Sequence, residues 1–341
     1  MRNTTLGILA AALCAIAMCS FSPAQAADDM SMPATPAQTM PNLPGPLSHT
    51  IMQAYMDYLK GDIDSLVALT TDDVEWGGVG PEGMGAPFGD YHGHDGVRRW
   101  FSELAAGADT YKLTDLEFHE DGTTVWVVGK QSTTLKNGNM EMSPFAHFFK
   151  FRDGKVTNFW NFLDSAGVVA AASGGMGMAG GDKMMGGMGH GGSMGGMGMG
   201  GGMSMGGGDM SEQNIAALQA GYAAFGSGDM DKLLSGFTDD IQWDAVGPAG
   251  VLPIFGHFTG KDQVKQWFMN IGSALDMQPF RDVKFIASGD TVVSFGMSKA
   301  TYRATGKVVD SPFVHIARFR DGKIFWMRCF EDTASDVMAA K

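Results

Sequence analysis

The strongest constraint on this chain is that it matches itself. Residues 61–101 align without a gap with residues 228–268, at an offset of 167, and 19 of the 41 positions are identical. Trp76 meets Trp243, Gly80-Pro81 meets Gly247-Pro248, and Trp100-Phe101 meets Trp267-Phe268. After one inserted residue, Ser143-Pro144-Phe145-x-His147 meets Ser311-Pro312-Phe313-x-His315. Tryptophans and turn glycines at near-constant spacing fix a register that shared composition alone does not produce. The chain is a duplicated domain, and whatever one copy folds into, the other does too.

Each copy reads as helices followed by strands. Ile51, Met52, Tyr55, Met56 and Leu59 recur at helical spacing and predict a helix over 47–60, with its counterpart over 212–226. Ser211 is the expected N-cap of that second helix. Gly61 and Gly228 end these helices, and Asp62 and Asp229 cap short second ones. A strand is expected at 74–76 and 241–243, then a Gly/Pro-rich loop, then a helix over 95–106 and 262–275. Strands follow at 111–119, 123–135, 140–152 and 155–163, with Asp153-Gly154 and Asp321-Gly322 as hairpin turns. Helices first and an antiparallel meander after give an α+β domain.

The segments outside the copies carry their own signals. Arg2, the apolar run from Leu6 to Met18 and Ala24-Gln25-Ala26 compose a cleavable signal peptide over 1–26, which predicts a periplasmic or secreted protein with no membrane span after cleavage. Cleavage removes Cys14 and Cys19, so the mature chain keeps Cys329, read as a buried strand residue. Residues 27–46 are an unfolded proline-rich lead-in. With 24 basic against 37 acidic residues, the net charge of −13 argues against nucleic acid or anionic membrane as a partner. The expected domains are therefore 47–172 and 211–341, joined by a linker over 173–210.

That linker is compositionally extreme, with 19 Gly and 10 Met in residues 174–208, and is expected to be disordered. Met176, Met178, Met185, Met188, Met194, Met197, Met199, Met203 and Met205, with His190 among them, recur at short spacings. Thioethers are soft donors that suit Cu(I), so copper binding or sequestration is one reading; a plain spacer and a sacrificial oxidant sink are the others.

Taken together, the repeated motifs resemble a known family. The carrying residues are Gly61-Asp62-Ile63-Asp64 with Gly228-Asp229-Met230-Asp231, then Thr71-Asp72-Asp73-x-x-Trp76 with its counterpart at 238–243. Phe88-Gly89 and Phe255-Gly256 close the loops, and His147-x3-Phe151-Arg152-Asp153-Gly154-Lys155 and His315-x3-Phe319-Arg320-Asp321-Gly322-Lys323 follow. Asp164-Ser165-Ala166 and Asp332-Thr333-Ala334 complete the pattern. Each copy is similar to the SnoaL-like, ketosteroid-isomerase-related members of the nuclear transport factor 2-like superfamily. The resemblance implies two cone-shaped domains, each with helices on a curved antiparallel sheet around one pocket, no required cofactor, and pairing of the copies within the chain or between chains.

Activity does not follow from such a fold. The isomerase pattern needs a base aspartate, an oxyanion tyrosine and a second, protonated aspartate. Those registers fall on Gly78 and Ala245, on Ala54 and Gly221 (one position from Tyr55 and Tyr222), and on Pro144 and Pro312. Two of the three positions are empty in both copies, which points to binding of a small, largely apolar molecule without isomerase chemistry. Trp76, Trp243, His147, His315, Tyr55 and Tyr222 are the expected ligand-binding residues. His315, Glu331 and His147 are the candidate catalytic residues, with a lyase or hydrolase using His315 as the alternative activity. Glu331 faces Leu163 in the first copy, so the second copy is the better catalytic candidate.

Overall fold

The computed structural model describes residues 41–81, 83–174 and 207–341. The signal peptide, most of the lead-in, and the linker methionines from Met176 to Met205 with His190 lie outside the described residues. The described residues fall into two compact units, one of those up to 174 together with 330–341 and one of 207–329.

In the first unit, α1 (Pro46–Lys60) ends at Gly61, whose φ of 74° is the left-handed conformation that glycine adopts without strain. Asp62 then caps α2 (Ile63–Ala68) by accepting from the Ser65 N–H at 3.0 Å. Strand β1 (Thr70–Gly78) leads through a loop to β2 (Gly89–His92), then α3 (Gly93–Gly107). The meander is β3 (Ala108–Asp121), β4 (Thr124–Leu135), β5 (Met140–Arg152) and β6 (Lys155–Phe162), followed by α4 (Ser165–Ala172). Asp153 and Gly154 both have positive φ, as a two-residue turn matching strand twist requires. The sheet order is β2-β1-β6-β5-β4-β3. All pairs are antiparallel except β1 with β6, which is parallel because α3 and the meander separate them in sequence.

The second unit repeats this plan. It has α5 (Gly207–Ser227), α6 (Met230–Ser235), β7 (Phe237–Ala245), β8 (Gly256–Thr259) and α7 (Gly260–Ala274). Then come β9 (Leu275–Met277), β10 (Arg281–Ser288), β11 (Thr291–Tyr302), β12 (Val308–Arg320) and β13 (Lys323–Phe330). Again β13 runs parallel to β7. Helix α5 begins four residues before Ser211, so that serine lies inside the helix and does not cap it. Its glycine-rich first turn is a poor helix former, which is why sequence reading starts the helix too late. The four-residue edge strands β2 and β8 fall where the sequence predicts loop, since two of the eight positions are glycine and neither stretch shows an apolar alternation.

The last helix, α8 (Thr333–Ala340), groups with the first unit. There α4 and α8 cap each other. Asp164 accepts from the Gly167 N–H at 3.0 Å and from the Thr333 hydroxyl at 2.8 Å. Ser165 donates to Asp332 at 2.9 Å and accepts from the Ala334 N–H at 2.9 Å. Buried cap residues thus hold both helix starts.

Candidate functional site

On β5 the side chains alternate, and Glu141, Ser143, Phe145 and His147 share the inward face. At its far end His147 is 4% exposed and its Nδ1 lies 2.7 Å from the Tyr55 hydroxyl on α1. The second copy repeats the pair: His315 Nδ1 is 2.7 Å from the Tyr222 hydroxyl, which also meets Ser294 Oγ at 2.6 Å. Burial pushes both imidazoles down to about 3, so each ring is neutral at physiological pH. A neutral ring can accept the tyrosine hydroxyl at Nδ1 and carry its hydrogen on Nε2. Tyr55 and Tyr222, one step off the isomerase register, thus find their partner in the strand histidine.

The two tryptophans lie in aromatic clusters of the core. Trp76 stacks on Phe159 at 4.2 Å between ring centroids and meets Trp100 edge-on at 5.8 Å. Trp243 packs on Trp267 at 4.8 Å and on Phe268 at 5.2 Å. Cys329 is a buried residue of β13. Glu331 is half-buried beside Asp336, and desolvation with that second acid pushes its carboxyl up, while His315 keeps company with Tyr222, Phe280 and Phe313.

A cavity of about 60 Å³ opens in the first copy, between α1, α3, the loop before β2 and the sheet. Its apolar wall includes Trp100, Leu104, Pro87 and Leu163, and its polar wall is Tyr58, Tyr111, Gln131, Glu141 and Asn161. Tyr55, Trp76 and His147 stand outside that wall. The Tyr111 hydroxyl donates to Gln131 at 3.2 Å, and the Gln131 amide donates to Glu141 at 3.0 Å. Glu141 is 5% exposed, and desolvation, with a push from the Asp164 charge, raises its carboxyl to about 7. Asn161, 2% exposed, pairs across the strands with His147. It lies near enough to raise that imidazole's basicity a little, yet without hydrogen-bond geometry: Asn161 Oδ1 and His147 Nε2 both lack a partner. Reading the sequence for acids at isomerase positions passes over Glu141. Counting back by twos from His147 finds it.

Strand register shows what the second copy has in these places. Thr133 faces Glu141 as Ala300 faces Val309, Gln131 faces Ser143 as Ser298 faces Ser311, and Asn161 sits beside Gly78 as Cys329 sits beside Ala245. The tyrosine–histidine pair is therefore common to both copies, and the polar set belongs to the first. Among the described residues no group of three His, Cys, Asp or Glu side chains is placed to hold a metal ion. That includes Asp90 and His92 on β2 and His94 at the start of α3, the last of which pairs with Asp72 at 3.6 Å. Also among the described residues, no helix is long and apolar enough to cross a membrane.

Comparison with known proteins places the fold. Among curated proteins, none matches the chain. Solved structures similar to it include an NTF2-like protein from Burkholderia xenovorans LB400, with 21% identity, 38% of this chain and 98% of that chain covered, and a TM-score of 0.36. An NTF2-like protein of unknown function from Burkholderia pseudomallei K96243 matches with 24% identity, the same coverages and a TM-score of 0.35. TerC, co-crystallised with polyporic acid, matches with 29% identity, 38% and 98% coverage and a TM-score of 0.34. The family model for the SnoaL-like domain matches residues 52–159 and 218–327, one stretch in each copy. Those two stretches are most of the sequence, and the chain belongs to the SnoaL-like domain family, in two tandem copies.

Proposed function

We propose that this is an exported binding protein whose first SnoaL-like copy holds a small, largely apolar molecule, without isomerase chemistry. The cavity beside Trp100 carries this reading: a volume near 60 Å³ in the packed interior, apolar on one side and polar on the other. Drug-sized ligands need roughly 300 Å³ or more, so the occupant has only a few heavy atoms unless the walls move. The closed base position supports the lack of isomerase chemistry, since a Cβ on Gly78 would meet the Pro87 carbonyl oxygen at 1.9 Å. The hydrolytic alternative through His315 is weakened by burial, which leaves that imidazole a poor base at neutral pH.

The test uses the full chain exported from a bacterial host. Its mass should correspond to a mature protein starting at Ala27, and xenon pressure should shift the NMR signals of Trp100, Leu104 and Leu163. A mass that retains residues 1–26, or xenon shifts absent from all three residues, overturns the corresponding half of the reading. The linker offers a second reading, supported by the spacing of Met176 through Met205 around His190: binding of Cu(I). Titration of Cu(I) should show sites in the full chain that a chain lacking 174–208 does not have, and equal uptake by both sinks this second reading.

A further inference from the structure

The duplication provides a comparison within one molecule. The second copy forms the same sheet and helices with Val309 in the place of Glu141, Ser298 in the place of Gln131 and Cys329 in the place of Asn161. The fold therefore does not need these polar groups. Burying a carboxyl costs several kcal/mol unless it is paired, and buried acids are ordinarily matched with Lys or Arg. Glu141 has no such partner: no Lys, Arg or His lines the cavity, and the charge that acts on it is another acid, Asp164. Gln131 donates to it at 3.0 Å, and the Ser143 hydroxyl lies near enough to lower its carboxyl somewhat against the burial. On the same wall, Asn161 Oδ1 is a buried acceptor whose neighbouring donor, His147 Nε2, falls short of hydrogen-bond geometry. The cavity thus holds a buried carboxyl without a counter-charge, an unpartnered acceptor on Asn161 and an unpartnered indole N–H on Trp100, beside the aromatic rings of Tyr58, Trp100 and Tyr111.

We propose that the first copy's cavity is a site for a small amine cation, whose ammonium group takes Glu141 and Asn161 as acceptors beside these rings. This rests on the reading of the cavity as a ligand site. An ammonium group supplies the missing counter-charge, and aromatic faces attract cations. A carboxylate ligand meets only Glu141 with Asp164 behind it, and is repelled. A neutral alcohol fills the acceptors but leaves the charge unmatched. The second copy has Val309 and Cys329 in the places of Glu141 and Asn161, and its own acid, Glu331, stands in the place of Leu163 beside Asp336.

The pH dependence follows from the groups around Glu141. Tyr111 from β3 and Tyr58 from α1 hold their protons, with Tyr58 pushed up to about 12 by burial and Tyr111 further. Asp164, at the start of α4, is raised by burial, and His147 on β5 stays neutral down to about 3. Glu141, raised to about 7, changes charge near neutrality. A cation needs its carboxylate form, so affinity is full above pH 7 and weakens about tenfold for each unit below it.

The experiment is calorimetric titration of the full chain with ethylammonium chloride, ethanol and sodium propionate, at pH 6 and pH 8. Expected at pH 8 is ethylammonium binding about tenfold or more tighter than ethanol, and no binding of propionate. Expected at pH 6 is ethylammonium affinity weakened about tenfold. Both Glu141→Gln and Glu141→Val should lose about tenfold or more; the valine is the residue the second copy already accommodates, so a folded variant is available. Ethanol or propionate binding as well as the amine, an amine affinity equal at the two pH values, or one unchanged in either variant overturns the proposal. Xenon shifts at Trp100 with no amine preference would defeat the cation site and leave the cavity reading standing. Silence of both probes in a folded chain would defeat both.

Discussion

Acidifying the protein from pH 6 to pH 3 is expected to unfold it. His147 and His315 are buried and neutral, with their values lowered from 6.5 to about 3. In the unfolded chain both rings take up protons near pH 6.5, and in the folded chain they resist until about 3. The stability these rings represent is therefore fully present above pH 6.5 and is lost as pH falls through that window. Each contributes on the order of 4 kcal/mol at full extent, against a typical domain stability of about 5–15 kcal/mol. Asp62, Asp73, Asp239 and Asp240, whose carboxyls are held low by hydrogen bonds, act in the same sense once pH drops below their ordinary range.

Buried acids oppose this slope. Glu141 and Glu331 keep their protons in the fold at pH values where the unfolded chain has released them, so they stabilise the acidic side and lose that advantage as pH rises from 4.5 toward 7 and beyond. Two histidines and two glutamates tilt in opposite directions between about pH 4.5 and 6.5. A plateau of melting temperature is expected there, with a steep acid arm and a shallower alkaline one. Circular dichroism melts from pH 3 to 9 check it, and Glu141→Gln should flatten the alkaline arm. A melting temperature unchanged between pH 5 and pH 3 is the result that refutes this account.

Installing the isomerase base by Gly78→Asp is expected to disrupt the first copy instead of giving it activity. The obstacle is backbone: a Cβ at Gly78 would lie 1.9 Å from the Pro87 carbonyl oxygen, and one at Gly77 would lie 2.4 Å from the Gly89 carbonyl oxygen. Neither oxygen can rotate away as a side chain would. The loop before β2 must move, and β2 with it, at a cost of about 4 kcal/mol or more. Urea unfolding should show that loss for Gly78→Ala as well, because the Cβ alone causes it. Gly107→Ala at the end of α3, where a Cβ meets nothing within 4 Å, is the matched control and should be neutral. A Gly78→Ala chain as stable as the parent would show that the loop yields freely.

Most of the local architecture was written in local chemistry. Gly61 and Gly228 stop their helices, and Asp62, Asp229, Asp164 and Asp332 each accept from a backbone N–H three residues on. The Asp-Gly turns set the last hairpins. What sequence reading missed depends on distant partners. The edge strands β2 and β8 exist because β1 and β7 offer them a free side, not because of any pattern of their own. Strand β1 runs from Thr70 although its first four positions are polar, since pairing with β6 extends it. The grouping of α8 with the first unit rests on Thr333 and Ser165 meeting across more than 160 positions of sequence. At the site, histidine and tryptophan drew notice as residue types, whereas Glu141 becomes conspicuous only once strand parity turns it inward.

The tyrosine–histidine bond occurs in both halves, and the acid six residues before the histidine occurs in one. Two halves of common descent have thus kept a shared hinge-pin of packing while their interiors took different chemical characters. A survey of relatives keyed to the histidine would score the halves as twins. One keyed to the inward acid would sort them apart, and would group each with the relatives whose interiors it resembles.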